Sequence, residues 1–539
     1  MKDFSHKTRA ENISKLQSEQ FDLLIIGGGI TGAGVARDAA QRGLKVGLVE
    51  AGDFAVGTSS RSSKLVHGGI RYLENFEFGL VFEALSERSK LFRIAPTLVH
   101  PLRFMIPIFK DSRVSLFKIG LGMMLYDLLA LFRTPELHEK LNAKKTMARL
   151  PLLRQQDLKG SVVYSDAYMD DDRLVHETLR SANEAGAVCA NYLKVSGARF
   201  DEKNKIQAVH VTDRLSQKKF SVLSAHVVSS AGPWTDLVAE SLLTDWKKIL
   251  RPTKGVHLTF SRDRLPLANA VVMGAQQSDR IVFAIPRHEM VIVGTTDTDW
   301  PGNPSDATVT EADVSYLLHI ANEYFPSAHL TEADIISSYV GVRPLVKDQA
   351  GSEGKTSREH VIISDPRGLT FIAGGKYTTY RLMSEQIVDS VILSLGGQKK
   401  QNISHLKKCA TSAPLNPYIE HTVLNEARLQ ARTDIEKKLV ERYGAEAYII
   451  LQRFSGTENI WQIEAYQAIY STMCLNLVDF FTRRVPLMLA TPDHGRSVLT
   501  DVIQIFNREL GWSTEELESQ KKALEDYISR ELAWKNNLS

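Results

Sequence analysis

Along the first fifty residues the apolar positions fall into short unbroken runs separated by glycines and one helical repeat. Leu23 to Ile26 is a continuous apolar run, the pattern of a strand buried on both faces of a parallel sheet. Gly27, Gly29 and Gly32 follow, and Ala33 to Gln41 has helical spacing that stops at Gly43, a residue favoured just past a helix end. Lys45 to Val49 is a second apolar strand, closed by Glu50. Strand, turn, helix and strand in this order predict a βαβ unit.

Further on the pattern changes several times. Gly52 to Gly69 is rich in Gly and Ser and too irregular for helix or strand, and loops of that length usually bind something. Phe78 to Ile94 is helical, stopped by Pro96 and Pro101, and His100 to Phe109 is a strand that leaves the first unit. A charged connector, 136–160, precedes a strand from Val162, a turn at Asp171, and a helix from Arg173 to Ala185 that Asp172 caps. Phe200 to Val211 and Phe220 to Val228 form a hairpin that returns to the first sheet at Ser230, Ala231 and Gly232. His257 to Phe260, Ile281 to Ile285 and Met290 to Gly294 are short strands of an antiparallel sheet. Ile335 to Val340 is a strand, and Leu369 to Ala373 leads through Gly374 and Gly375 into a helix from Thr378. Beyond residue 400 strands give way to charged amphipathic helices at 422–442, 459–471, 475–482, 495–509 and 514–532.

The predicted fold class is therefore α/β, with a Rossmann-like domain built from discontinuous segments, 21–95, 160–240 and 365–398. An antiparallel-sheet substrate domain takes 96–159 and 241–364, an all-α C-terminal domain takes 399–539, and residues 1–20 are a polar lead-in.

Composition narrows the function. The 539 residues are 43% apolar, enough for two or three cores, and 66 basic against 63 acidic residues leave a net charge of +3, so no nucleic-acid-binding field is implied. Cys189, Cys409 and Cys474 are far apart and make no CxxC, so neither a disulfide framework nor a metal or iron–sulfur site is expected. The N-terminus lacks the apolar core of a signal peptide. Leu116 to Phe132 is the one segment resembling a membrane span. It is shorter than the roughly twenty residues needed and carries Lys118 and Asp127. Flanked by Arg113 and Arg133, it fits a helix lying on a membrane surface, and its pattern fits an ordinary buried helix equally.

The βαβ unit has the chemistry of a dinucleotide site. Gly27 permits the tight turn, Gly29 admits a pyrophosphate, Gly32 lets helix and strand pack closely, and the helix N-terminus offers N–H groups to phosphate. Glu50 lies about twenty residues beyond the glycines, where a carboxylate binds the adenosine ribose and disfavours the extra phosphate of NADP. From these residues NAD and FAD remain open. His257, on the strand KGVHLTF, has the chemistry of a base near neutral pH and fits a structural histidine as well.

Several motifs resemble, in order, those of the FAD-dependent glycerol-3-phosphate dehydrogenases among the D-amino-acid-oxidase-like flavoproteins. They are IIGGGITGAGVARDAAQRGLKVGLVE, GTSSRSSKLVHGGIRYLE, VVSSAGPW, KGVHLTF, IVGTTDTD, YVGVRPL and AGGKYTTYR. The resemblance implies FAD as cofactor, sn-glycerol 3-phosphate as substrate, dihydroxyacetone phosphate as product and a membrane quinone as electron acceptor. It implies a cytoplasmic enzyme held peripherally on the inner face of the cell membrane, with a homodimer left open.

By the same resemblance His257 is the acid–base residue, and Arg71 and Tyr72 line the site near the flavin. Arg343 and Arg358 bind the substrate phosphate, for which a guanidinium fork is suited. Lys376 lies near substrate and flavin, where a cation stabilises developing negative charge. Gly27, Gly29, Gly32 and Glu50 hold the ADP half, with Ala231 and Gly232 near adenosine. Thr58, Ser59, Ser60, Lys64, Leu65, His67, Gly68 and Gly69 wrap the ribityl chain and ring, and Gly374, Gly375 and Thr378 face the pyrophosphate or the flavin carbonyl edge. A glycerol-phosphate oxidase using oxygen shares nearly all these motifs, and an amino-acid or amine oxidase on the same fold is a more distant alternative.

Overall fold

Strand Gln20–Ile26 lies inside the first sheet, parallel to Val46–Val49 on one side and Lys219–Ser229 on the other. Val188–Ala190 and Leu369–Ala373 extend it in parallel, and Val361–Asp365 closes one edge antiparallel. The unbroken apolar run has a simple cause. Leu23 and Ile25 point into a core shared with helices Ile30–Arg42, Asp171–Glu184 and Tyr380–Lys399, while Leu24 and Ile26 point into a second core on the opposite face. The hairpin Leu193–Phe200 and Ile206–Asp213 continues antiparallel from Lys219–Ser229. The computed structural model describes residues 1–70, 73, 76–274, 281–347, 360–399, 411–454 and 459–537.

A second, mostly antiparallel sheet carries the strands predicted for the substrate domain. Thr253–Ser261 is its centre, paired with Met290–Gly294 and Ile335–Arg343. Ala270–Gly274 joins Val99–Phe109 in parallel, the one parallel pair among the described strands of this sheet. The boundary at residue 160 differs from the sequence expectation. Leu158–Met169 pairs along its length with Val99–Phe109 and so belongs to the second sheet, and the chain re-enters the first unit at helix Asp171–Glu184. An apolar strand does not itself show which sheet it joins, because its partner is set by a contact roughly sixty residues away in sequence. The cap of that helix is Asp170 rather than Asp172.

The lead-in is an integral part of the fold. Ser5 caps helix His6–Ser18 in a capping box, Phe4 is fully buried, and Arg9 donates to the Asn191 carbonyl and to Asp213. The C-terminal region is helical as expected, with two corrections. The segment 422–442 is two helices, His421–Gln430 and Asp434–Tyr443, because Thr433 and Glu436 form a capping box that starts the second. The segment 475–482 is one short turn, Leu477–Asp479, followed by a π-helical turn, Phe480–Arg484.

Helix Leu116–Leu129 is buried on one face and exposed on the other. Met123, Tyr126 and Asp127 face inward: Tyr126 donates to Asp166, and Asp127 accepts from the backbone and ring of His138. Phe117, Leu121, Met124 and Leu128 face solvent together, 53 to 75% exposed. Leu131 and Phe132, just past the end of this helix, and Phe78 and Phe82 are also exposed. Among the described residues no helix is long and apolar enough to cross a membrane.

Candidate active site

The turn after the first strand is shaped by the absence of side chains. Gly27 adopts φ +109°, and a Cβ there would stand 2.7 Å from the Ser230 carbonyl oxygen. A Cβ on Gly32 would stand 1.9 Å from the Gly27 carbonyl oxygen, so no larger residue fits. Ser230 donates its N–H to Ile26 O at 2.8 Å, which brings Ala231 and Gly232 beside the same turn. Gly29 is the N-cap of helix Ile30–Arg42 and has no side chain to cap it; Ser59 takes the Ile30 N–H, so an anion would meet the N–H groups that follow. Glu50 accepts the Gly28 and Gly52 N–H groups at 2.6 and 2.8 Å. Those bonds use two of a carboxylate's roughly four acceptor positions, and the rest suit ribose hydroxyls. Burial, partly offset by the Gly28 N–H, raises the Glu50 pKa.

The irregular stretch after Glu50 is tied down residue by residue. Thr58 donates its hydroxyl to Val342 O at 2.6 Å, and Ser59 accepts the Ile30 N–H at 3.0 Å at the helix start. Ser60 closes on Gly57 O, and its own carbonyl accepts from Lys64 Nζ at 3.0 Å. Lys64 is fully buried, its amine also on Asp171 at 2.5 Å, and Leu65 enters the second sheet. His67 donates its N–H to Thr378 at 3.2 Å, while the Gly68 N–H meets the Tyr126 hydroxyl at 3.0 Å. Gly69 follows at φ +74°. Gly374 donates to Pro344 O, and through its bond to the His67 N–H Thr378 sets the following turn against the 58–69 stretch.

His257 is buried in the second sheet, opposite Gly294 on one neighbouring strand and Tyr339 on the other. Its ring stacks on Tyr339 with centroids 4.7 Å apart, and a Cβ on Gly294 would stand 2.3 Å from it. Nε2 lies 2.9 Å from Ser63 Oγ. Burial, then the charges of Arg343 and Lys64, lowers its pKa well below the ordinary value, so the ring is neutral at pH 7. Arg343, at the end of the strand carrying Tyr339, donates to Asp297 at 3.0 Å, Thr295 Oγ1 at 2.9 Å and Thr296 O at 3.2 Å. It remains 29% exposed, oriented but accessible. Lys376 is half-buried at the head of the turn Tyr377–Thr379, beside the glycine pair. Arg71, Tyr72 and Arg358 lie outside the described residues.

Sequence reading missed Ser63, Tyr339, Gly294 and Asp297. Ser63 is one of four serines in the stretch SSRSS, 59–63, with nothing to single it out, and Tyr339 becomes a neighbour of His257 only through strand register. The acidic residues of GTTDTD were the one available signal for the arginine's partner.

A glycine turn with no room for Cβ at a helix N-terminus, the Glu50 carboxylate beside it and a neutral histidine on the second sheet fit a flavin oxidoreductase site. The comparisons agree: residues 22–381 match the FAD dependent oxidoreductase family, and the chain belongs to it. Within that family it groups with the aerobic glycerol-3-phosphate dehydrogenases, being 35% identical over 537 residues, 96% of each chain, to the one from Staphylococcus saprophyticus. Its C-terminal region, 393–517, matches the C-terminal domain of alpha-glycerophosphate oxidase. The solved glycerol-3-phosphate dehydrogenase from Bacillus halodurans, complexed with FAD, is 31% identical, covers 98% of each chain and superposes with TM-score 0.79. The L-alpha-glycerophosphate oxidase from Mycoplasma pneumoniae shares the fold at 19% identity, covering 69% of this chain and 95% of that chain, with TM-score 0.53. FAD is thus the cofactor, and the residues around Gly27, Gly32 and Glu50 fit it.

Proposed function

We propose that this protein oxidises sn-glycerol 3-phosphate to dihydroxyacetone phosphate and passes the electrons to a membrane quinone. The observation that carries the reading is the pairing of neutral, buried His257 with accessible Arg343 from neighbouring strands. When bound, FAD accepts a hydride from C2 of the substrate at N5. Arg343, its fork already oriented by Asp297 and Thr295, holds the phosphate together with Arg358, and Arg71 lines the site near the flavin. His257 takes the C2 hydroxyl proton at Nε2, the nitrogen that faces Ser63. Tyr339 and Gly294 keep the ring in one plane. Lys376 supplies positive charge near the flavin, and Tyr72 lines the site.

The exposed apolar face of Leu116–Leu129 supports the quinone route over oxygen, since it offers a membrane contact flanked by exposed Arg113, Lys118 and Arg133. The face is tested at Leu121 and Met124, which are exposed, whereas Leu125 and Leu129 are half-buried. The substrate assignment is tested with Arg343→Leu in steady-state turnover. It should raise KM for glycerol 3-phosphate by about tenfold or more, as loss of one charge-assisted pair predicts. An unchanged KM would remove Arg343 from the phosphate site.

A further inference from the structure

The stretch between Glu50 and Lys64 runs from the ribose end of the cofactor site to the base, with one short turn, Thr58–Ser60, as its regular structure. It is held from outside the two sheets. At its start Asp53, 1% exposed, accepts from Arg483 Nε at 2.8 Å, Arg484 Nη1 and Nη2 at 2.8 and 2.9 Å, and Asn191 at 3.2 Å. Burial would raise the Asp53 pKa, yet the guanidiniums of Arg484 and Arg483 hold it well below the usual carboxylate range. Both arginines come from the π-turn Phe480–Arg484, and Arg484 is itself fixed by Thr472 at 2.7 Å. The next residue, Phe54, stacks on Phe4 at 5.8 Å, and Ala55 donates to Gly28 O at 3.0 Å.

At the far end Arg61 donates to Glu531 at 2.8 Å and to Val340 O at 3.1 Å, and its guanidinium also meets the Tyr527 hydroxyl. Glu531 ends helix Thr514–Glu531, and its carbonyl accepts from Ser338 at 2.5 Å. Ser62, next to Arg61, accepts from the Tyr339 hydroxyl at 2.9 Å, and Ser63 reaches His257.

Resting on the FAD-site reading above, we propose that the C-terminal helical domain positions the cofactor loop at both ends. Arg483 and Arg484 fix the ribose end through Asp53, and Glu531 fixes the base end through Arg61. Buried ion pairs are a costly way to glue domains, because desolvation offsets most of their attraction, and an apolar contact stabilises as well. What these pairs add is a fixed position. Asp53 sits one residue past Gly52, whose N–H orients Glu50, and Arg61 sits two residues before Ser63. The two clamps therefore act on different steps, the first on FAD affinity and the second on proton transfer.

The test titrates full-length apoprotein with FAD and measures turnover at saturating FAD. Arg484→Gln should raise the FAD dissociation constant at least tenfold, a larger change than its effect on kcat. Glu531→Gln should lower kcat at least tenfold and shift the acid limb of the pH profile, with a smaller effect on FAD affinity. Should Arg484→Gln fail to fold, Arg484→Lys, which keeps the charge but loses the paired donors, is read in the same way with a smaller shift. Unchanged FAD affinity in the folded Arg484 variant would overturn the proposal. So would equal losses of affinity and turnover in both variants that track their melting temperatures. Gly32→Ala separates the two levels: if it too leaves FAD binding intact, the cofactor-site reading itself fails.

Discussion

The outward face of helix Leu116–Leu129 permits a prediction with a magnitude. Fully burying a Leu, Phe or Met side chain is worth about 1.5–3 kcal/mol. Phe117, Leu121, Met124 and Leu128 are each more than half exposed, so inserting them into the headgroup boundary of a bilayer recovers about 1–2 kcal/mol apiece. Basic residues near an anionic surface add about 1 kcal/mol each, which Arg113, Lys118 and Arg133 are placed to supply. Replacing Leu121 and Met124 by aspartate removes two of the apolar terms, about 2–4 kcal/mol, and adds two charges of the wrong sign. At about 1.4 kcal/mol per tenfold, partition onto the membrane should fall by about 100-fold or more. The inner face, with Tyr126 on Asp166 and Asp127 on His138, is untouched, so FAD content should be retained. The assay is co-sedimentation with vesicles containing anionic lipid, at low and high salt. Undiminished sedimentation of a folded, FAD-loaded double variant would refute the argument and leave the exposed face without a lipid role.

Four further outcomes follow from the site. His257→Asn should lower kcat by about 10²–10⁴-fold while FAD stays bound, measured by turnover and flavin absorbance. Because burial and nearby cations lower the pKa of His257, its neutral form persists below pH 6.5; the acid limb of kcat/KM should therefore lie below that value, and a limb at or above 6.5 would contradict the geometry. The same depressed pKa makes the folded state bind fewer protons than the unfolded chain, so its stability contribution is present above 6.5 and is lost as pH falls toward the folded value. Gly32→Ala should abolish tight FAD binding, since the added methyl meets a backbone carbonyl at 1.9 Å; FAD titration reads this directly.

Much of the first sheet was legible because its signals are local. Continuous apolar runs, glycine spacing and a terminal acid all lie within thirty residues of one another. Leu158–Met169 was misplaced because its partner strand is distant in sequence. At the site, His257 and Arg343 are proposed from motifs, whereas the placement of Tyr339 and Ser63 against His257 depends on register and loop closure that no periodicity encodes. Nothing along the chain marks Arg483 and Arg484, and only folding buries them on Asp53. The lead-in helix was polar in composition, so the burial of Phe4 against Phe54 in the cofactor loop was likewise invisible.

The most direct test of the central claim is an anaerobic absorbance spectrum of the purified holoprotein before and after sn-glycerol 3-phosphate is added. Bleaching of the oxidised flavin band, absent with glycerol or with the His257→Asn variant on the same timescale, is the predicted result. An oxidised band that persists in folded, FAD-loaded protein would contradict the assignment of glycerol 3-phosphate as the hydride donor.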